Sequence, residues 1–326
     1  MELPRFGSDE EYAAGRNHPT LWLPVFRRAL RAAGLSPDGP LELLAPSQYP
    51  TAAARDHGLV ATVYPSHWGG FDAYRLELDA HALLEPTSLP IPRLVAHGTL
   101  LASTSDHPWP WLIETEVVGR PWSEVVPTLP PSVQLRSAAE LGATLQRWHS
   151  VPHDHGQIVN ARWDNFLRLV TEERDTLGAD DDRLALLGPV PEGALHALAA
   201  STLSEVDTTR STSLLHSDVH GGNVLLDPGT GALVGIIDFN EVQAGHAWYD
   251  LADACFRLLH GDPHLVPAFL NGYGLSEADL ADGAALRLLG WGLLHDFDVL
   301  TPAAEARRPT QTSVAALALH LTGLGD

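Results

Sequence analysis

Between Leu214 and Phe239 the chain alternates apolar runs with polar stretches in an order that few folds accommodate. Leu214-Leu215 leads into His216-Ser217-Asp218-Val219-His220-Gly221-Gly222-Asn223. Val224-Leu225-Leu226-Asp227 follows, then a turn at Pro228-Gly229-Thr230-Gly231, then Leu233-Val234-Gly235-Ile236-Ile237-Asp238. Two short apolar runs around a Pro/Gly turn predict a hairpin. A loop with Asp218, and Asn223 five positions on, therefore enters a hairpin that ends in Asp238, fifteen residues after Asn223.

Phosphoryl transfer needs parts of this kind. An acceptor hydroxyl must be oriented by a carboxylate, and Mg²⁺ bridging nucleotide phosphates takes hard oxygen ligands. Asp218 is suited to face the acceptor, Asn223 and Asp238 to hold metal, and Gly221 and Gly222 to let the loop turn tightly.

The rest of the chain supplies two different textures. Trp22, Val25, Phe26, Ala29, Leu30 and Ala33 share one face of a helix over residues 20–34, closed by Gly34. Beyond the turn at residues 37–40, strands are predicted at 41–44, 59–64, 91–96 and 111–118, with a helix at 73–85. From Pro131 the pattern turns helical, with Leu135, Ala138, Leu141, Leu145 and Trp148 at helical spacing. Buried helices are expected at 248–260 and 284–300. The expected fold class is α+β: a small N-terminal β-rich lobe and a larger, mainly helical C-terminal lobe.

Composition narrows the function classes. The 326 residues carry a formal net charge of −21 and 44% hydrophobic side chains, which suits a globular chain and not a disordered one. An acidic surface argues against nucleic-acid binding and favours cationic small partners. No apolar run reaches a bilayer-spanning length, and the start lacks a basic and apolar leader, so a cytoplasmic protein without membrane partners is expected. Cys255 is alone, which excludes an intrachain disulfide and a Cys-type zinc site. A monomer or homodimer is expected.

At this point the motifs reach a family. HSDVHGGNVLL, GIIDFNEV and WYDLAD resemble the aminoglycoside phosphotransferase and choline kinase group, which has a two-lobed protein-kinase-like fold. LVATVYPSHW resembles the family's strand bearing the nucleotide lysine, LPIPRLVAHG its strand after the crossing helix, WLIETEVVGRPW its hinge, and LGATLQRWHSVP the long helix beneath the catalytic loop. The resemblance implies a nucleotide-binding lobe at 1–113 and a catalytic and acceptor-binding lobe at 114–326. It implies Asp218 as the catalytic carboxylate, Asn223 and Asp238 as Mg²⁺ ligands, and Glu114 to Val117 as backbone meeting the base. Asp250 would be a buried partner of the catalytic loop, and His216 would orient that loop. The implied reaction moves the γ-phosphate of ATP or GTP to a hydroxyl of an antibiotic or other secondary metabolite.

One position departs from the family. Thr62 stands where the phosphate-gripping lysine belongs, and the chain contains no lysine at all. Glu77, with Asp79 second, is the helix acid left without its cation, an unfavourable lone carboxylate near phosphates. Arg75 or Arg55 could supply the charge, with a geometry unlike that of lysine. Alternatively the chain is a pseudokinase or binding protein, or it uses another donor or reaction. The loop at 45–51, which contains Ser47, is poor in glycine and adds to this question.

Other groupings weigh less. His216-Ser217-Asp218 with His246 or His260 fits an iron triad, but the helical content after residue 131 argues against an oxygenase barrel. His153-Asp154-His155 and Asp180 to Asp182 read as solvated surface. Trp163-Asp164-Asn165-Phe166 reads as a segment between helices, packing or lining an acceptor pocket. Cys255 reads as inert core, and His295 and Asp296 as residues facing the site.

Overall fold

The computed structural model describes residues 3–44, 46–101, 108–154, 156–178, 183–209 and 212–325, without the side chains of 157–163, 183 and 207–209. It divides into two compact units. One comprises Met1–Glu85 and Ile91–Val118, the other Pro86–Pro90 and Gly119–Asp326. The chain passes from the first to the second after Val118, three residues beyond the strand Trp109–Thr115.

The first unit is a five-stranded antiparallel sheet. Its strands are β1 (Glu42–Leu44), β2 (Thr51–Ala54), β3 (Leu59–Val63), β4 (Leu94–Leu100) and β5 (Trp109–Thr115), in the order β1-β2-β3-β5-β4. Two N-terminal helices, α1 (Asp9–Gly15) and α2 (Pro19–Ala32), precede it, and α3 (Gly70–Leu84) crosses between β3 and β4. Successive residues of a strand face opposite sides, and the two sides have different work. Ala61, Val63, Trp111 and Ile113 join Trp22, Val25, Phe26 and Ala29 of α2 in one core. Tyr64 and Leu112 pack with Ala73 of α3 in another. Thr62 pairs with Leu112, and Val60 with Glu114, so Thr62 and Glu114 share the α3 side.

The second unit is mainly helical. Helix Pro131–His149 buries Ala138, Leu141, Leu145 and Trp148. It lies close against helix Leu265–Tyr273: a Cβ at Gly142 would sit 2.0 Å from Phe269 O, and one at Gly272 2.1 Å from Ala139 O. Glycine at both points is what permits this separation. Two short antiparallel ribbons stand beside these helices. One pairs Ser213–Leu215 with Gln243–Gly245, the other Val224–Leu226 with Leu233–Ile236 on one side and with the short Arg120–Pro121 on the other.

Several predicted elements shift. The helix expected at 248–260 is an α-helix over Trp248–Asp253 continued as a π-helix over Ala254–Leu258. The helix expected at 284–300 ends at Leu293, and another begins at Leu300. Trp163-Asp164-Asn165-Phe166 lies inside helix Gln157–Thr176, with Phe166 fully buried. Ala45, His155 and Asp180 to Asp182 lie outside the described residues. No helix among the described residues is long and apolar enough to cross a membrane.

Candidate active site

The two ribbons of the second unit share their connections. Residues 216–223 run from Ser213–Leu215 to Val224–Leu226, and residues 237–242 run from Leu233–Ile236 to Gln243–Gly245. Both polar segments therefore cross from one ribbon to the other, and they lie side by side. Ile237 N–H donates to Asn223 O at 3.0 Å, and Ile237 O accepts from His216 Nε2 at 3.1 Å. His216 Nδ1 accepts from Asp218 N–H at 3.3 Å. A carbonyl cannot donate and an amide cannot accept, so His216 is the neutral tautomer with its proton on Nε2. Burial, which lowers its basicity, agrees. With both ring nitrogens engaged, His216 has no lone pair for iron, and the triad reading fails at its first ligand.

Asp250 fixes the start of this loop. Its fully buried carboxylate accepts from His216 N–H at 2.7 Å, Ser217 N–H at 2.9 Å and His149 Nε2 at 3.0 Å. Burial alone would raise its pKa; the His149 bond and the His216 amide outweigh it, and the net direction is down. The loop is strained where it is held: Ser217 adopts φ +66° and Asp238 φ +71°. Left-handed backbone at non-glycine residues persists only where surrounding bonds enforce it. Gln243 Nε2, donating to Ser217 Oγ at 3.0 Å, is one such bond. Gly221 and Gly222 are the central residues of a tight turn closed by Asn223 N–H donating to His220 O at 3.0 Å, and neither needs a positive φ. Gly222 also leaves room for His220, whose Cε1 would lie 2.7 Å from an added Cβ.

Asp218 is surrounded by donors. Arg257 donates to Oδ1 at 2.6 Å and Asn223 Nδ2 to Oδ2 at 3.0 Å. His220 Nδ1 accepts from Gly222 N–H, which leaves its proton on Nε2, 3.5 Å from Asp218 Oδ2. Burial would raise the Asp218 carboxyl; the His220 bond and the Arg257 charge hold it below the usual carboxylate range. Arg257 also grips Asp253, through Nε at 2.7 Å and a terminal nitrogen at 2.8 Å. Burial raises Asp253 to about 7 against the opposing pull of Arg257. Asp253 in turn accepts from Val219 N–H at 2.6 Å, next to Asp218.

Asn223 and Asp238 present oxygen. The Asn223 amide nitrogen is committed to Asp218 O and Oδ2, which turns its carbonyl oxygen to any cation. Asp238 is exposed on the neighbouring segment. A hard-oxygen pair of this kind fits Mg²⁺ and does not suit a soft metal.

The first unit places the remaining predicted residues. Thr62 Oγ1 lies 3.2 Å from Thr51 Oγ1, which lies 3.5 Å from Ser47 Oγ, so a row of hydroxyls occupies the α3 side of the sheet. Arg16 Nε donates to Ser47 O at 2.9 Å and its guanidinium stacks on Trp68. Glu77 is buried on α3, while Arg75 is exposed. Two positions along a helix is about 200° around it, so Arg75 and Glu77 point in opposite directions. Arg55 is engaged by Glu42 at 2.8 Å and by Glu116. Glu114 lies within β5, flanked by Val60 and Leu94, and its side chain meets His81 at 3.2 Å. Val117 follows the strand, half-buried.

Comparison with known proteins decides the affiliation. The profile described as "Phosphotransferase enzyme family" matches residues 50–289, most of the chain. The chain belongs to this phosphotransferase family. Among curated proteins it is similar to the aminoglycoside 3'-phosphotransferase of Streptomyces ribosidificus, 28% identical over 228 residues, covering 67% of this chain and 80% of that one. Among solved structures it is similar to an aminoglycoside phosphotransferase of Streptomyces rimosus in complex with ADP and streptomycin. The TM-score is 0.56 at 22% identity, over 83% of this chain and 98% of that one. It is equally similar to a microcompartment-associated aminopropanol kinase, with TM-score 0.56 and 21% identity over 93% and 95%. The fold of this phosphotransferase is the kinase-like α+β fold of those neighbours.

Sequence reasoning missed Arg257 and Asp253. Their one legible signal was an acid and a base four apart in a helix whose other acid is Asp250. The π-helix that begins at Ala254 leaves no comparable mark in the sequence. His295, read as facing the site, is fully buried and stacked on Tyr249 at 3.8 Å. Cys255 is buried, and burial pushes its thiol up, as expected for inert core.

Proposed function

We propose that this phosphotransferase moves the γ-phosphoryl group of ATP or GTP to a hydroxyl of a small molecule, an antibiotic or other secondary metabolite. Asp218 is the catalytic carboxylate of this reading, with Asn223 and Asp238 as the residues that would hold Mg²⁺. The bound ion supplies charge neutralisation of the phosphates. The observation that carries the reading is the pinned trio: Asn223 bonded to Asp218 and, through Ile237, to the segment bearing Asp238.

The geometry supports a specific role for Asp218. Its Oδ2 already accepts from Asn223 and faces His220, while Oδ1 accepts from Arg257 and keeps a second lone pair for an acceptor hydroxyl. Held ionised by its neighbours, Asp218 is a weak base. It orients the hydroxyl and takes the proton as the new O–P bond forms and the bond to the nucleotide diphosphate breaks. That order suits a loose transition state, in which the nucleophile gives up its proton late. Thr62, Ser47, Glu77, Arg75, Glu114 and Val117 belong to the nucleotide side of the proposal. The relatives named above, with their aminoglycoside acceptors, and the acidic charge of −21 favour a cationic acceptor.

The test is transfer of labelled phosphate from ATP and from GTP to a panel of aminoglycosides and amino alcohols, with Mg²⁺ present. Asp218→Ala should abolish transfer while circular dichroism stays unchanged. Calorimetry that detects no binding of either nucleotide would remove the kinase reading and leave a binding protein.

A further inference from the structure

The buried face of α3 carries an unusual group for a nucleotide-side lobe. His81 Nε2 lies 3.9 Å from Glu77 Oε2, one helical turn away, and 3.2 Å from Glu114 Oε2 on β5. Each residue offers one ligand atom, and all three atoms lie within 4.8 Å of one another. The side chains of Glu77, His81 and Glu114 are 8%, 4% and 16% exposed.

We propose that Glu77, His81 and Glu114 form a binding site for one divalent transition-metal ion of the Zn²⁺ type. The spacing is the first argument. Donors about 2.1 Å from a tetrahedral ion stand roughly 3.4 Å from each other. The two separations from His81 fall on either side of that value, so small rotations of the carboxylates would close the shell. The donor set is the second. Two carboxylates balance the charge of a divalent ion, and an imidazole nitrogen favours Zn²⁺ over Mg²⁺ or Ca²⁺. Access is the third: a cleft of about 220 Å³, lined by Leu78, His81, Ala82, Arg93 and His97 among others, opens at His81. With three protein ligands, the fourth position stays open to solvent or an anion.

The placement gives the ion a use. Glu114 stands opposite Val60, two residues from Thr62 on the same side of the sheet. An ion there would cancel two negative charges on the sheet face where Thr62 replaces a lysine, in a chain with no lysine elsewhere. That use rests on the phosphotransferase reading; the binding itself does not.

The experiment is calorimetric titration of the chelator-treated full chain with Zn²⁺, in excess Mg²⁺ and without nucleotide or acceptor. One equivalent should bind with micromolar affinity or better. Glu114→Gln and His81→Gln should each weaken it at least tenfold. Co²⁺ in place of Zn²⁺ should give a visible absorption band that both variants lose. If His81→Gln fails to fold, the isosteric Glu114→Gln tests the same ligand shell. Absent stoichiometric binding, or binding unchanged in Glu114→Gln, would overturn the site and leave an imidazole bridging two carboxylates. Neither result depends on turnover, so loss of this site and loss of the phosphotransferase reading are separable.

Discussion

Arg257 is the cation on which the buried Asp253 and the half-buried Asp218 depend, so Arg257→Met exposes the electrostatic design most directly. The wild-type guanidinium makes one bond to Asp218 and two to Asp253, at 2.6 to 2.8 Å, and its side chain is 18% exposed. Methionine keeps the apolar stem near the Phe297 ring, over which the guanidinium lies at 5.1 Å. It leaves both carboxylates short of donors. Breaking a buried pair costs about 3–5 kcal/mol, and the partial exposure puts this case near the lower end, about 3 kcal/mol at pH 7. The cost must depend on pH. In the wild type Asp253 loses its proton near pH 7. Without Arg257 its pKa rises further, so above pH 7 the variant holds a proton that the wild type has released. The destabilisation then grows with pH, approaching about 1.4 kcal/mol per pH unit where that difference is one whole proton. Urea unfolding of both proteins at pH 5.5, 7 and 8.5 measures this. A loss below about 1 kcal/mol at pH 7, or one equal at all three pH values, would refute the reasoning.

Two further predictions concern the second unit. Desolvation lowers His295 to about 3 and His246 to about 4. The unfolded chain therefore binds protons below pH 6.5 that the folded chain refuses, and stability should fall between pH 6.5 and 4. His295→Phe, which removes a buried ring nitrogen without a hydrogen-bond partner, should flatten that decline in urea titrations. Gly142→Ala should cost about 3 kcal/mol, because its Cβ meets Phe269 O. Gly193→Ala, in open space on helix Glu192–Thr209, should instead be neutral or stabilising in the same assay.

Legibility followed the kind of force involved. Helix α2 was readable because its buried residues repeat at helical spacing, and the 224–236 hairpin because a Pro/Gly turn separates two apolar runs. Strand β2, Thr-Ala-Ala-Ala, was not readable. Alanine has no strand preference, and only pairing with β1 and β3 makes it one. The ends of the strand after the crossing helix differ for a related reason. The run expected at 91–96 sits at Leu94–Leu100, where its register against β5 is set. The loop strain also falls on residues other than those the composition suggests: glycines invite a positive φ, but Ser217 and Asp238 adopt it because Asp250, Gln243 and Ile237 hold the backbone there.

The amino-acid order by itself determined which groups exist: Asp218, Asn223 and Asp238 at fixed separations, and no lysine to stand at Thr62. Covalent spacing and hydrophobic periodicity are local, so they can be read directly. Tertiary structure decided the state of those groups. His220 and Arg257, the latter thirty-nine residues on, hold Asp218 ionised, and His81 joins Glu77 to Glu114 from the adjoining strand. Charge and desolvation depend on distance through space, and only the fold sets those distances.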